Sequence, residues 1–216
     1  MKYSNKYITH IAGCFIVAGL LAAGRAGAAD TTGNTLSSKG SSFVKEAAAG
    51  NQSEIALAQL AQEKAQNPEV KNLAQMLQQD HQKAQEKLQT IAQAHGLTLD
   101  TSPTWTQKRA QGKLEKLSGA EFDQQYTKDM LEDHVTDIKK FQKVAQTVED
   151  TDVKQYAQET LPTLQTHLQH AASAAKSAGV DQSTITSLTK DMPVGIGGTG
   201  ENQESGRGAG QQQTKP

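Results

Sequence analysis

The chain has 216 residues, which is room for one domain of ordinary size and a tail. Aromatic residues make up only 4 % of it, while Ala, Gln, Lys, Glu and Leu are abundant. This composition favours helices packed through small side chains and argues against a sandwich or barrel. The formal net charge of −1 shows no basic excess that would attract nucleic acid. We therefore predict an all-α protein with no nucleic-acid partner.

The N-terminal segment, residues 1–29, has the three-part pattern of a secretory signal peptide. Lys2 and Lys6 precede an apolar run from about Ile11 to Ala23, and the small residues Ala26-Gly27-Ala28 follow as a cleavage motif. The apolar run is shorter than the ~20 residues of a permanent transmembrane anchor. We therefore predict that residues 1–29 are removed near Ala28 and that the mature protein is periplasmic or secreted. Cleavage removes three positive charges and changes the formal net charge from −1 to −4.

The chain's one cysteine, Cys14, lies within this segment, in a run whose residue types match a lipoprotein cleavage box. A lipidated cysteine normally follows the apolar run, whereas most of this run comes after Cys14, so the position argues against lipidation. With ordinary cleavage the mature chain has no cysteine. Disulfides, thiolate ligands and cysteine nucleophiles are then excluded.

Apolar residues recur three and four positions apart from Ser41 to about Ala178. Ser41 is a plausible N-cap for the first helix, Pro68 occupies a permitted first-turn position in the second, and Gly96 can cap the end of that helix. The predicted long helices span about 41–66, 68–95, 119–148 and 152–178.

The connections between these helices predict how they are arranged. Asn67-Pro68 and the acidic turn 149–152 are short enough to force two antiparallel hairpins. The connection 97–118 is long enough to travel the length of a predicted helix, roughly 40 Å. We therefore predict that residues 41–179 form a four-helix bundle of ferritin-like topology, in which a long crossover joins the hairpins. Trp105, within the crossover, is expected to plug one end of the bundle.

The remaining residues, 180–216, differ in composition from the bundle. Residues 182–189 can add a helical turn or two, but 192–216 contain seven glycines and four glutamines with hardly an apolar side chain. Such a segment cannot bury enough surface to offset its ordering entropy. We predict that 180–216 is a mostly disordered tail.

One ionisable residue interrupts the apolar stripe of each long helix. The four residues are Glu54, His81, His134 and His167. Glu54 precedes Asn67 by almost the same number of positions as His81 follows it, so the two lie level in the first hairpin. His134 and His167 are in the same way nearly equidistant from Asp150, which makes a second level pair. We therefore expect all four side chains to converge halfway along the core.

Burying one carboxylate and three imidazoles costs several kcal/mol unless they are paired or coordinated. One solution is a mononuclear site in which Glu54, His81, His134 and His167 bind a transition-metal ion, since imidazole suits Zn, Cu, Fe and Ni. The other is a hydrogen-bonded polar core that fixes the helix register in a structural or stress-related interaction protein. The sequence leaves both open, and it also leaves open enzymatic activity, envelope partners and oligomeric state.

Three segments carry a resemblance to a known family. The runs 54–61 (EIALAQLA), 76–81 (MLQQDH) and 160–168 (TLPTLQTHL) resemble the bacterial exported family called domain of unknown function 4142, grouped with ferritin-like folds. The resemblance covers roughly Ser42 to Ala175. It implies a secreted or periplasmic helical bundle, and it implies no particular activity.

The chain departs from the wider ferritin-like group, which often holds two irons with carboxylates and Glu-x-x-His motifs. The residues three positions before the histidines are Gln78, Leu131 and Leu164. No Glu-x-x-His motif exists, so a di-iron site is not expected.

Asp129, Asp133 and Asp137 form an acidic row on the third helix. Such a row is either a solvated face or a weak cation site.

Overall fold

The computed structural model describes residues 35–100 and 102–192. Over these residues the protein is all-α, with six helices and no strand, which confirms the predicted class. None of the described helices is long and apolar enough to cross a membrane. The predicted signal peptide and residues 193–216 of the predicted tail lie outside the described residues. The helices are α1 (Ser38–Lys64), α2 (Pro68–Ala94), α3 (Trp105–Leu114), α4 (Gly119–Thr147), α5 (Thr151–Ser177) and α6 (Gln182–Thr189).

The turn between α1 and α2 is held by side-chain hydrogen bonds. The backbone N–H groups of Gln66 and Asn67 donate to the carboxylate of Asp123 at the start of α4, so these residues leave the helix. The side chain of Asn67 then accepts from the N–H of Glu69 and caps α2, with Pro68 in the first turn. These bonds explain why α1 ends at Lys64, slightly before the predicted boundary.

Contacts at the two ends of the bundle fix the directions of its helices. At one end, the N–H of Ser37, which caps α1, donates to Asp150, which precedes α5, and the His95 ring at the end of α2 contacts Asp152. At the other end, the side chain of Asn67 donates to the carbonyl of Ser177 at the end of α5. Helices α1 and α5 therefore run one way, and α2 and α4 run the other.

The connection between α2 and α4 runs the length of the bundle, because α2 ends at one end and α4 begins at the other. Helix α3 lies within this connection, where the Gln107 side chain donates to the carbonyl of Ala49 at 2.7 Å. The expectation that Trp105 plugs the bundle end is wrong. Its side chain is 70 % exposed, and its ring packs against the Arg109 guanidinium, because the first turn of α3 presents it to solvent.

The core lies among α1, α2, α4 and α5. Helix α1 packs mainly on α2, α4 on α5, and α2 on α5. Most residues of the predicted stripes are buried, including Phe43, Leu77, Met130 and Leu164. Helix α6 packs on α4 and α5 with Ile185 buried, so the packed part of the chain continues past Gly179.

Candidate metal centre

The four ionisable residues of the stripes meet in the middle of the bundle. Glu54 is 5 % exposed, His81 3 %, His134 0 % and His167 1 %. Each residue comes from a different long helix. Their convergence was predicted from the equal distances of the paired residues from each turn. The three imidazoles have ring nitrogens that all lie within 4.8 Å of one another, which is close enough to hold one metal ion.

Four atoms face one another at the centre of the cluster. Glu54 Oε2 lies 3.0 Å from His81 Nε2 and 3.6 Å from His134 Nε2. His134 Nε2 lies 3.2 Å from His167 Nδ1. The inner atoms are therefore one carboxylate oxygen and three ring nitrogens. The contact between Glu54 and His81 has the distance of an ion pair, but neither Glu54 Oε2 nor His81 Nε2 has a well-aligned hydrogen bond among the described residues.

The outer nitrogen of each imidazole contacts an acceptor. His134 Nδ1 lies 2.9 Å from the carbonyl oxygen of Met130, one turn earlier in α4. His81 Nδ1 lies 2.9 Å from the side-chain oxygen of Asn51, and His167 Nε2 lies 3.2 Å from Asp80 Oδ2. A carbonyl oxygen and a carboxylate can only accept, so these outer nitrogens carry the protons.

These outer contacts fix the tautomer of each neutral imidazole. A ring that donates from its outer nitrogen has a lone pair on its inner nitrogen. The lone pairs of His134 Nε2 and His167 Nδ1 then face each other at 3.2 Å, and that of His81 Nε2 faces the Glu54 carboxylate. Four acceptors without a donor repel one another unless a proton or a cation lies between them. Outer hydrogen bonds that orient histidines in this way are a regular feature of metal sites.

Protonation of the metal-free cluster follows from burial and from the neighbouring charges. Burial alone would raise the pKa of the Glu54 carboxyl, but the facing imidazoles outweigh it and lower that pKa to about 2. Burial would lower the pKa of His81, but the Glu54 carboxylate raises it. Burial lowers the pKa of His134, and burial with the neighbouring imidazoles lowers that of His167 to about 4. In the metal-free cluster the inner nitrogen of His81 therefore takes up a proton more readily than an ordinary imidazole, whereas His134 and His167 favour the neutral form.

A buried hydroxyl near the cluster has no hydrogen-bond partner in the described residues. It belongs to Tyr126, whose side chain is fully buried. Burial, together with the nearby charge of Glu54, raises the pKa of this phenol, so it stays protonated. Unsatisfied buried groups are uncommon, and this one adds to the unsatisfied atoms of Glu54 and His81. The middle of the bundle is therefore a polar region whose hydrogen-bonding capacity is incompletely used.

Sequence reasoning found the four inner residues and missed their outer partners Asn51, Met130 and Asp80. Asn51 lies three positions before Glu54, so helical spacing could have placed it on the same face. Asp80 points away from the face of His81 and reaches His167 on the neighbouring helix instead. The partner on His134 is a backbone carbonyl, for which no sequence signal exists.

The fold and the site together define a helical-bundle protein with three buried histidines able to hold a metal ion. The sequence model described as domain of unknown function (DUF4142) matches residues 25–174, well over half of the chain. The chain therefore belongs to this family, and the resemblance predicted from its sequence is confirmed. Comparison with curated proteins and with solved structures gave no match.

Proposed function

We propose that this chain is an exported cell-envelope protein of ferritin-like topology that binds one transition-metal ion in its core, in a non-enzymatic role. The observation that carries the proposal is the set of four inward-facing acceptor atoms, from Glu54, His81, His134 and His167. Export is inferred from the signal-peptide pattern of residues 1–29. The ferritin-like assignment is supported by the helix directions and by the connection that runs the length of the bundle.

The distances between the inner atoms suit a tetrahedral ion. Metal–nitrogen and metal–oxygen bonds of about 2.0–2.1 Å place the ligand atoms of a tetrahedron about 3.3 Å apart. Three of the six separations are 3.0, 3.2 and 3.6 Å, and the ring nitrogens of the three histidines all lie within 4.8 Å of one another. An ion at this point would draw the more widely separated ring nitrogens toward one another. It would also neutralise the Glu54 carboxylate and separate the facing lone pairs of His134 and His167.

The donor set favours zinc among the metals that imidazole suits. Three nitrogens and one oxygen in a tetrahedral arrangement are typical of Zn²⁺, which has no geometric preference of its own to satisfy. Four protein ligands also complete the coordination of the ion. A catalytic zinc normally keeps one position for water or substrate, so a complete set supports a binding or structural role.

The proposal is tested by adding Zn²⁺ to the metal-free mature protein, prepared without an affinity tag. We expect native mass spectrometry to show about one zinc per chain and the thermal unfolding midpoint to rise. A zinc concentration about 1,000 times Kd should stabilise the folded state by about 4 kcal/mol. If no zinc binds and the midpoint stays unchanged with Zn, Cu and Fe, the four residues form the hydrogen-bonded polar core of a structural protein instead.

A further inference from the structure

A surface groove leads to the carboxylate of the proposed metal site. It lies between α1, α3 and α4 and has a volume of about 280 Å³. Glu54 forms part of its wall, together with Asp133 and Asp137 from α4 and Thr106 and Gln107 from α3. Glu54 is therefore shared between the groove and the core. Its Oε2 atom is buried and has no hydrogen-bond partner in the described part of the chain.

A second, smaller cavity lies beside two of the histidines and shares two wall residues with the groove. Its volume is about 30 Å³, which is space for one or two water molecules. His81 and His167 line this cavity, and Gly50 and Asp137 line both the cavity and the groove. Gly50 and Asp137 therefore mark the junction between the solvent-facing groove and the cavity beside His81 and His167.

The aspartates of the groove have the chemistry to attract a cation. Neither Asp133 nor Asp137 forms a hydrogen bond or a close ion pair within the described part of the chain. Burial and the nearby charge of Glu54 raise the pKa of each carboxyl to about 7, so both carry their full negative charge only above that pH. Lys140, which lines the smaller cavity, is paired with Glu46, with 3.1 Å between Nζ and Oε2. Negative charge in a concave site raises the local concentration of cations and their association rate. Carboxylates can also replace water on a hydrated ion as it arrives.

Gly50 keeps the junction open. It lies in the middle of α1, where glycine is less favourable than alanine by roughly 0.5–1 kcal/mol. A Cβ atom at this position would have no neighbouring atom within 4 Å, so the space that a side chain would fill is empty. No close packing of another helix requires a glycine here. What its missing side chain provides is space between the groove and the cavity.

We propose that a hydrated divalent cation reaches the core through this groove, with Asp133 and Asp137 as its first ligands and Glu54 as the ligand that passes it to the histidines. This access route deepens the proposed metal-binding function and rests on it. The sequence left two alternatives for the acidic row on α4, a solvated face or a weak cation site. The access route gives part of this row a specific role. It sets how fast zinc enters, and the core quartet sets how tightly zinc is held.

The experiment measures the association rate of Zn²⁺ with the full mature protein by stopped-flow, using a fluorescent zinc indicator. At low salt and about pH 8, where both aspartates are ionised, the double variant Asp133→Asn/Asp137→Asn should lower the rate at least about tenfold and weaken its dependence on ionic strength. Its equilibrium Kd should change much less than its rates, because release slows along the same route. The matched control, Glu63→Gln/Glu86→Gln, removes the same charge from exposed positions outside the groove and should leave the rate within about twofold.

A second pair of variants tests the junction itself. Gly50→Leu should slow association at least about tenfold, whereas Gly112→Leu, also at a helical glycine with no atom within 4 Å of its Cβ position, should not. If Gly50→Leu fails to fold by circular dichroism, the aspartate variant decides alone. An association rate in that variant equal to its control would overturn the route. Absence of zinc binding by the unmodified protein would instead overturn the proposed function, so the two failures are distinct.

Discussion

Replacing His134 with alanine should lower the affinity for zinc more than about 100-fold and leave a helical protein. His134 is fully buried, its Nε2 atom faces both Glu54 and His167, and the Met130 carbonyl holds the ring in place. Loss of an outer hydrogen-bond partner typically costs about 10–100-fold in metal affinity, so loss of an inner ligand should cost more. Competition with a chelator of known zinc affinity gives the Kd of both proteins, and circular dichroism gives their helix content.

His170 supplies the matched control for this experiment. It lies on α5, three positions beyond His167, but its side chain is exposed to solvent. His170→Ala removes one imidazole without touching the cluster and should leave the Kd unchanged. Equal Kd values for His134→Ala and the unmodified protein would place any bound zinc elsewhere. In the polar-core alternative, the His134 variant would lose only stability, by about 1–3 kcal/mol, and zinc would have no effect on either protein.

Once His134 and His167 are neutral, the affinity for zinc should rise about tenfold per pH unit up to the folded-state pKa of His81, and then level off. Zinc needs the lone pair of His81 Nε2. The Glu54 carboxylate raises the pKa of His81, so below that pKa zinc must displace one proton from Nε2. Burial lowers the pKa of His134, and burial with the neighbouring imidazoles lowers that of His167 to about 4, so zinc meets a competing proton on these two rings only at lower pH. Glu54, with a pKa of about 2, is ionised throughout this range.

The same pH series separates a preorganised cluster from three ordinary histidines. Three unperturbed imidazoles, with a pKa near about 6.5, would each carry a proton at about pH 5.5. Zinc would then displace about three protons. Its affinity would change about 1,000-fold per pH unit well below about pH 5.5. Isothermal titration calorimetry in buffers with different ionisation enthalpies counts the released protons directly. A count near three, or an affinity independent of pH, would contradict the protonation described here.

The meeting of the four residues could be predicted because short turns fix the register of a hairpin. The turn at Asn67-Pro68 is too short to let α2 shift along α1. Nearly equal distances from this turn therefore place Glu54 and His81 side by side. The apolar stripes determine which face is buried, and the ionisable residues lie on that face. The short turns and the apolar stripes can both be recognised in the sequence without knowing how the helices pack.

Contacts that depend on how each helix is rotated about its own axis could not be predicted from the sequence. Asp80 contacts His167 because α2 packs on α5 with a rotation that brings the position before His81 close to the neighbouring helix. The exposure of Trp105 depends in the same way on how α3 lies along the bundle, anchored by Gln107 at Ala49. The groove beside Glu54 also exists only because α3 is held there, so spacing along the chain gave no sign of it.

The proposed metal centre differs in chemistry from the di-iron centres of ferritin-like bundles. Carboxylate-rich sites with Glu-x-x-His motifs suit two irons, whereas one Glu and three His suit one tetrahedral ion. In this chain Gln78, Leu131 and Leu164 occupy the positions where such motifs would place Glu. The carboxylates Asp133 and Asp137 lie in the groove outside the core, where they can guide an ion without forming a second core site.

X-ray absorption at the zinc edge of the loaded mature protein tests the central claim most directly, because it reports the ligands of the bound ion. We expect four nitrogen or oxygen neighbours at about 2.0–2.1 Å, with the multiple-scattering pattern of about three imidazoles, and loss of that pattern in His134→Ala. A six-coordinate, oxygen-rich shell without imidazole scattering would show that zinc binds surface carboxylates. That result would contradict a metal centre formed by Glu54, His81, His134 and His167.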